Sequence, residues 1–255
     1  MRRRGQLNSE RGGAEHPAGR GPDSEARLLE PSHWHSQLSE LLAQTREHGV
    51  QCDDGSVERL AQYCVELVRW SARMNLVSRR ELQHLVVKHV AASMGVLLLE
   101  DPHCDERWVD VGSGGGFPGM VVKLCRPCQQ ITLMDTSRKK TQFLEAVGKQ
   151  LHLDDLAVVW ARVEEHRPVG FAASSGGVEG AFSVVLMRSV APLRKSFLLI
   201  DPITSSGSRF LTFKGPAWER ELAAAGTELV RLGWAFDSTI SIPWAVARIL
   251  KFTKV

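Results

Sequence analysis

From residue 106 onward, short apolar runs alternate with helix-forming stretches, and this alternation constrains the fold more than any other feature. The apolar runs predict strands at Trp108–Val111, Ile131–Met134, Ala157–Trp160, Phe182–Met187, Phe210–Phe213, Ala235–Ile240 and Ala245–Phe252. Helices fit at 118–126, 137–150, 191–200 and 217–226. Residues 106–255 therefore predict an α/β domain with a seven-stranded, mostly parallel sheet and an antiparallel strand near its C-terminal end. A Gly- and Ser-rich stretch from Gly170 to Gly180 predicts a flexible loop ahead of the fourth strand.

Residues 33–105 have a different texture. Leu38, Leu41, Leu42 and Thr45 share one helix face, and Gly49 can end that helix in a left-handed conformation. Ser56 can cap a second helix with the stripe Val57, Leu60, Ala61, Cys64, Leu67 and Val68. A third helix is predicted over 80–99, from Leu82, Leu85, Val86, Val90, Met94 and Leu97. No strand pattern interrupts this stretch, so it reads as an N-terminal helical subdomain. Residues 1–32 are rich in Arg, Gly, Glu and Pro without apolar periodicity and read as a disordered tail.

Several classes of protein are disfavoured. No apolar run approaches the roughly 20 residues of a membrane span. Met1-Arg2-Arg3-Arg4 is not followed by the apolar segment of an export signal. Five cysteines at irregular spacing then predict reduced thiols in the cytoplasm, and Cys125-Arg126-Pro127-Cys128 reads as incidental. A redox pair opens a helix, whereas this one falls at a helix C-terminus. No ligand set for a metal stands out. The net charge of +3 permits a nucleic-acid partner without requiring one.

The chemistry is carried by Val109-Asp110-Val111-Gly112-Ser113-Gly114-Gly115-Gly116-Phe117-Pro118-Gly119. This loop follows a strand and opens a helix. Gly112, Gly114 and Gly116 let a ligand approach the backbone, and the helix start presents free N–H groups. Pro118 suits a first helical turn. The next strand ends in Asp135, placed to bind ribose hydroxyls. An adenosine-type ligand follows. A dinucleotide fingerprint wants Gly or Ala where Phe117 stands, and no Lys-Ser or Lys-Thr pair makes this a phosphate-binding loop. The G-x-G-x-G form resembles motif I of class I (Rossmann-like) methyltransferases, whose cofactor is S-adenosylmethionine.

Further motifs narrow the resemblance. They are Trp70-Ser71-Ala72-Arg73-Met74-Asn75-Leu76, Lys88-His89 with Ser93, and Leu133-Met134-Asp135 followed by Arg138-Lys139-Lys140. Phe143-Leu144, Arg162-Val163-Glu164-Glu165, Arg188-Ser189-Val190-Ala191 and Lys214-Gly215 complete them. In this order they resemble the bacterial small-subunit rRNA guanine-N7 methyltransferases, the glucose-inhibited division protein B family. The resemblance implies methyl transfer from S-adenosylmethionine to N7 of a guanine in 16S rRNA. It implies Gly112 and Phe117 at the methionine end, Asp135 at the ribose, Val163 and Glu164 beside the adenine, and Arg188 projecting into the cleft. It implies the small ribosomal subunit or its RNA as partner. Two departures stand out: Met74 where the family has Tyr, and Ala92 where it has Asp.

Guanine N7 carries a lone pair and no proton, so no general base is needed, and none is evident. Candidate RNA contacts are Asn75, His89, Arg138, Lys139, Lys140, Arg188 and Lys214, with Arg73, Arg79, Arg80, Lys88, Arg194 and Lys195 as further basic groups. A bare cation against the sulfonium opposes binding, so Arg188 is expected to face a carboxylate or RNA. A monomer is expected. Three other readings stay open: an NAD- or FAD-dependent oxidoreductase, a non-catalytic RNA-binding assembly factor, and a small-molecule methyltransferase.

Overall fold

The computed structural model describes residues 26–101, 104–165 and 181–255. The predicted tail and the Gly170–Gly180 loop therefore lie outside the described residues, apart from 26–32. Of these seven, Pro31 and Ser32 already belong to α1 (Pro31–Glu47). This helix buries Leu38, Leu41 and Thr45, and Gly49 follows it at φ 85°. Helix α2 (Ser56–Ser71) is preceded by left-handed Gly55. Ser56 is the first helical residue rather than the cap. Its hydroxyl points back and donates to the Asp53 carbonyl at 2.6 Å.

The predicted third helix is broken. A short α3 (Arg79–Leu82) is followed by a widened π turn (Val86–Val90), then α4 (Ala91–Met94) and a 3-10 turn (Gly95–Leu98). The apolar positions point inward as expected: Leu82, Leu85, Val86, Val90 and Met94 are all buried. The extra residue of a π turn keeps such positions inward across a change in winding, and a sequence period does not reveal that.

The sheet comprises β1 (Arg107–Val111), β2 (Gln130–Asp135), β3 (Leu156–Trp160), β4 (Val184–Arg188), β5 (Arg209–Phe213), β6 (Trp234–Ser241) and β7 (Arg248–Lys254). Their order is β3-β2-β1-β4-β5-β7-β6. The first five are parallel, and β7 is antiparallel to both β5 and β6. The chain works outward from β1 to β3, then returns to β4 on the other side of β1. That reversal opens a crevice at the carboxyl ends of β1 and β4, where open α/β sheets bind ligands.

Helices α5 (Gly119–Cys125), α6 (Arg138–Gln150), α7 (Leu193–Ile200) and α8 (Trp218–Arg231) connect the strands. Helix α8 runs past the predicted stop at Gly226, because Ala225 and Leu229 continue its buried face; left-handed Gly233 ends it instead. Alternate strand residues supply two cores. Trp108, Val184 and Leu186 pack with α5, α6 and the N-terminal helices, while Val109, Val185 and Met187 pack with α7 and its neighbours. The helical segment thus shares its core with one face of the sheet.

The cysteines correct the expectation of reduced thiols. Cys104 and Cys128 form a disulfide with their Cα atoms 5.2 Å apart, joining the approach to β1 to the approach to β2. Cys125 sits at the end of α5 and takes no part; the fold brings to Cys128 a residue 24 positions away, which motif spacing cannot show. Alkylating the denatured, unreduced protein should label three of its five cysteines. Labelling of all five would remove the bridge.

Candidate active site

Strand β1 delivers the chain into the glycine loop. Gly112 has φ 74° and Gly116 has φ 103°. A Cβ on Gly112 would stand 2.5 Å from Val190 Cγ2, and one on Gly116 would stand 2.7 Å from the Tyr63 hydroxyl. Conformation and space both demand glycine here. Tyr63 of α2 donates its hydroxyl to the Gly115 carbonyl, so the helical segment holds the loop from one side. Nothing in the sequence marked Tyr63 for this, since it reads as one more residue of an apolar helix.

Asp110 braces the loop from below. Its Oδ2 accepts from the Gly119 N–H at 2.8 Å, while its buried Oδ1 has no hydrogen-bond partner among the described residues. Burial pushes this carboxyl up to about 7, against the opposing pull of the Gly119 N–H and of Arg188. Asp135 ends β2. Its Oδ2 accepts from the Gly114 N–H at 2.9 Å and its Oδ1 from the Ser137 N–H at 2.8 Å. Each oxygen keeps acceptor capacity for another donor.

Beyond these strand ends lies a cavity of about 190 Å³. Gly112, Asp135, Val163 and Glu164 all line it. Thr136, Ala161, Arg162, Val190, Ala191 and Lys195 also line it, and the sequence alone did not assign them there. All but Lys195, which lies in α7, follow the ends of β2, β3 and β4, and only the parallel topology gathers them. A larger cavity of about 790 Å³ lies between α2 and α3, lined by Trp70, Arg73 and Arg79. It holds neither the glycine loop nor a strand end, whereas the smaller one holds both.

Gly114, Gly116, Phe117 and Arg188 stand outside that lining. The Phe117 ring turns toward the helical segment, 5.0 Å from the ring of His89 and 5.8 Å from that of Tyr63. Arg188, at the end of β4, donates to the Lys88 carbonyl at 3.2 Å and lies 5.5 Å over the Phe213 ring. Its buried Nη1 has no hydrogen-bond partner among the described residues. Burial lowers its pKa, and the charges of Asp110 and Glu81 oppose this from a distance; among the described residues no carboxylate lies within ion-pair reach of Arg188.

His89 sits in the π turn, its Nε2 4.0 Å from Glu81. Burial first, then Arg188, pushes its pKa down to about 4, so at neutral pH it is uncharged and this contact is no ion pair. A consequence follows for stability. An unfolded histidine binds a proton near pH 6.5, whereas the folded one does so only near 4. Between those values the unfolded state holds more protons, so acid destabilises the fold, with no further loss below about 4. Urea melts of wild type and His89→Gln should show the stability difference shifting toward the variant between about pH 7 and pH 4.5. A constant difference would mean that His89 protonates alike in both states.

The other RNA candidates scatter. Asn75 and Lys139 are exposed. Arg138 stacks 5.3 Å over the Trp160 ring, and Lys140 lies 3.8 Å from Asp135. Lys214, expected to contact substrate, is instead tied internally: it donates to the Ala191 carbonyl at 2.9 Å and to Glu221 at 2.8 Å. Ala92, where the family has Asp, is buried at the start of α4. Among the described residues no group of His, Cys, Asp or Glu is arranged to hold a metal.

Residues 56–240 match the model of the family described as rRNA small subunit methyltransferase G. The chain belongs to that family. Among curated members, the ribosomal RNA small subunit methyltransferase G of Symbiobacterium thermophilum is 34% identical over 192 residues, 72% of this chain and 75% of that protein. The Pseudomonas entomophila member is 32% identical over 198 residues, 77% of this chain and 84% of its own. A crystal structure of a SAM dependent methyltransferase from Aquifex aeolicus shares the fold, with a TM-score of 0.51 at 14% identity over 73% of this chain and 98% of that one. This member of the family is thus a methyltransferase on a seven-stranded, Rossmann-like sheet.

Proposed function

We propose that this protein transfers the methyl group of S-adenosylmethionine to N7 of a guanine in 16S rRNA. The observation that carries the cofactor is the cavity at the carboxyl ends of β1 and β2, where a backbone open at Gly112 meets the Asp135 carboxylate. At about 190 Å³ it is smaller than the ~300–1,000 Å³ of ordinary small-molecule sites. It suits the adenosine end, with Asp135 at the ribose and Val163 and Glu164 beside the adenine. The methionine end then runs over Gly112 and Gly114 toward Arg188.

When bound, the cofactor supplies an activated methyl group on a sulfonium. The guanine N7 lone pair forms the new C–N bond as the C–S bond breaks, the positive charge passes from sulfur to the base, and no proton moves. The protein's task is alignment and electrostatics. The glycine loop fixes the direction of approach. Arg188, tied to the Lys88 carbonyl and laid over the Phe213 ring, is placed to orient the target nucleotide.

Family membership supports the substrate, and so do Arg162 and Lys195, the basic residues that line the cavity. We read the protein as a monomer acting on 16S rRNA or the small subunit; its cytoplasmic setting follows from that substrate, since the Cys104–Cys128 bridge removes the argument from reduced thiols. Among the described residues no helix is long and apolar enough to cross a membrane. The deciding experiment offers tritium-labelled S-adenosylmethionine with naked 16S rRNA and with small subunits, then maps the modified base. Label at a guanine N7 is expected. Label on a small molecule, with none in either RNA form, would leave only the methyltransferase.

A further inference from the structure

Trp160 ends β3, the edge strand of the sheet, and its side chain is 57% exposed. A large indole in water is costly to display, and this one is held in place rather than loose. Its Nε1 donates to the Thr136 carbonyl at 3.0 Å, and the Arg138 guanidinium lies 5.3 Å from the ring centroid. In the register of the sheet Trp160 stands directly opposite Asp135. Its neighbours Thr136, Ala161 and Arg162 line the cofactor cavity, whereas Trp160 itself does not. The surroundings are basic. Arg138, Lys139 and Lys140 open the adjacent helix, and among the described residues Arg138, Lys139 and Arg162 pair with no carboxylate.

We infer that Trp160 is a stacking platform for an unpaired base of the RNA substrate, a nucleotide flanking the methylated one, with Arg138 and Lys139 taking the phosphates beside it. The inference rests on the rRNA reading and names the part of the surface that receives the strand. A fixed, exposed aromatic ring among cations is what unpaired nucleic acid binds. Every base offers a π face, and each phosphate offers a charge. Among the described residues no further strand pairs beyond β3, so a nucleic-acid strand can run past this edge beside the ring.

The test is equilibrium binding of 16S rRNA to wild type, Trp160→Ala, Trp160→Phe and Arg138→Ala at several salt concentrations, with S-adenosylhomocysteine titrated in parallel. A stacked base contributes about 1–3 kcal/mol. Trp160→Ala should therefore weaken RNA binding by about tenfold or more. The slope of log K against log salt should stay unchanged, because no charge is lost. Trp160→Phe should recover most of the affinity. Arg138→Ala should weaken binding and also flatten the slope by about one. S-adenosylhomocysteine affinity should hold in all three. RNA affinity of Trp160→Ala within twofold of wild type overturns the platform. So does a matching loss of S-adenosylhomocysteine binding, which would make Trp160 part of the cofactor site. If wild type neither binds nor methylates 16S rRNA, the rRNA reading itself has failed and the platform goes with it.

Discussion

Gly112→Val should lower affinity for S-adenosylhomocysteine by at least about a hundredfold while the protein stays folded. Two effects add. A β-branched residue at φ 74° costs on the order of 1–2 kcal/mol in the backbone alone. Its Cβ would also stand 2.5 Å from Val190 Cγ2, and both residues wall the cavity. Val190 must therefore yield, and it yields at the cavity's expense. The strain falls on a loop rather than in either core, so the melting temperature should drop by only a few degrees, as for other losses of ~1–2 kcal/mol. The check is a calorimetric titration beside a thermal melt. Wild-type affinity in the folded variant would show that the cofactor does not pass over Gly112.

Arg188→Met should lower methylation of the RNA by about ten- to a hundredfold, with S-adenosylhomocysteine affinity changed only a few-fold. Methionine keeps much of the length and apolar stem but removes the charge. What is lost is the donor to the Lys88 carbonyl and a positive charge that favours the ionised form of Asp110. Charge-assisted hydrogen bonds of this kind are worth about 1.5–3 kcal/mol. Asp110 loses the cation that eases its ionisation, so its carboxyl should rise further above about 7. The π turn loses its tie to β4. Separate kcat and KM values distinguish the possibilities. A fall in kcat fits a group that orients the target nucleotide, while unchanged kinetics would mean that Arg188 only joins the helices to the sheet.

Much of the fold was legible because it is written in local period. The five parallel strands lie within two residues of their predicted bounds at each end, since buried parallel strands read as plain apolar runs. Gly112 and Asp135 were legible as a pair because chemistry requires them at successive strand ends. The misses have other causes. A π turn preserves which residues face inward, so the third helix looked continuous. The partner of Cys128 lies 24 residues away, and the topology of the sheet, not motif spacing, brings it close. Lys214 looked like any basic residue near a strand end, and only the structure shows it bound to Glu221 and the Ala191 carbonyl. Trp160 read as the last residue of an apolar strand. Its exposure depends on what packs over the end of β3, which is a property of the fold rather than of the strand.

Strand order also sets when the molecule can be finished. The last strand in the chain, β7, does not lie at the rim; it sits between β5 and β6 and is hydrogen-bonded to both. During synthesis β5 and β6 emerge first, each with an open edge and no partner on that side, a state prone to mispairing. Residues 248–254 must clear the ribosome and insert between them before either is closed. A nascent chain halted after β6 already carries every residue of the glycine loop and its acidic partners, yet lacks the strand that completes the sheet behind them. Synthesis thus runs from the glycine loop toward the strand that ties β5 to β6, and a chain lacking residues 248–254 leaves both of those strands with an unpaired edge.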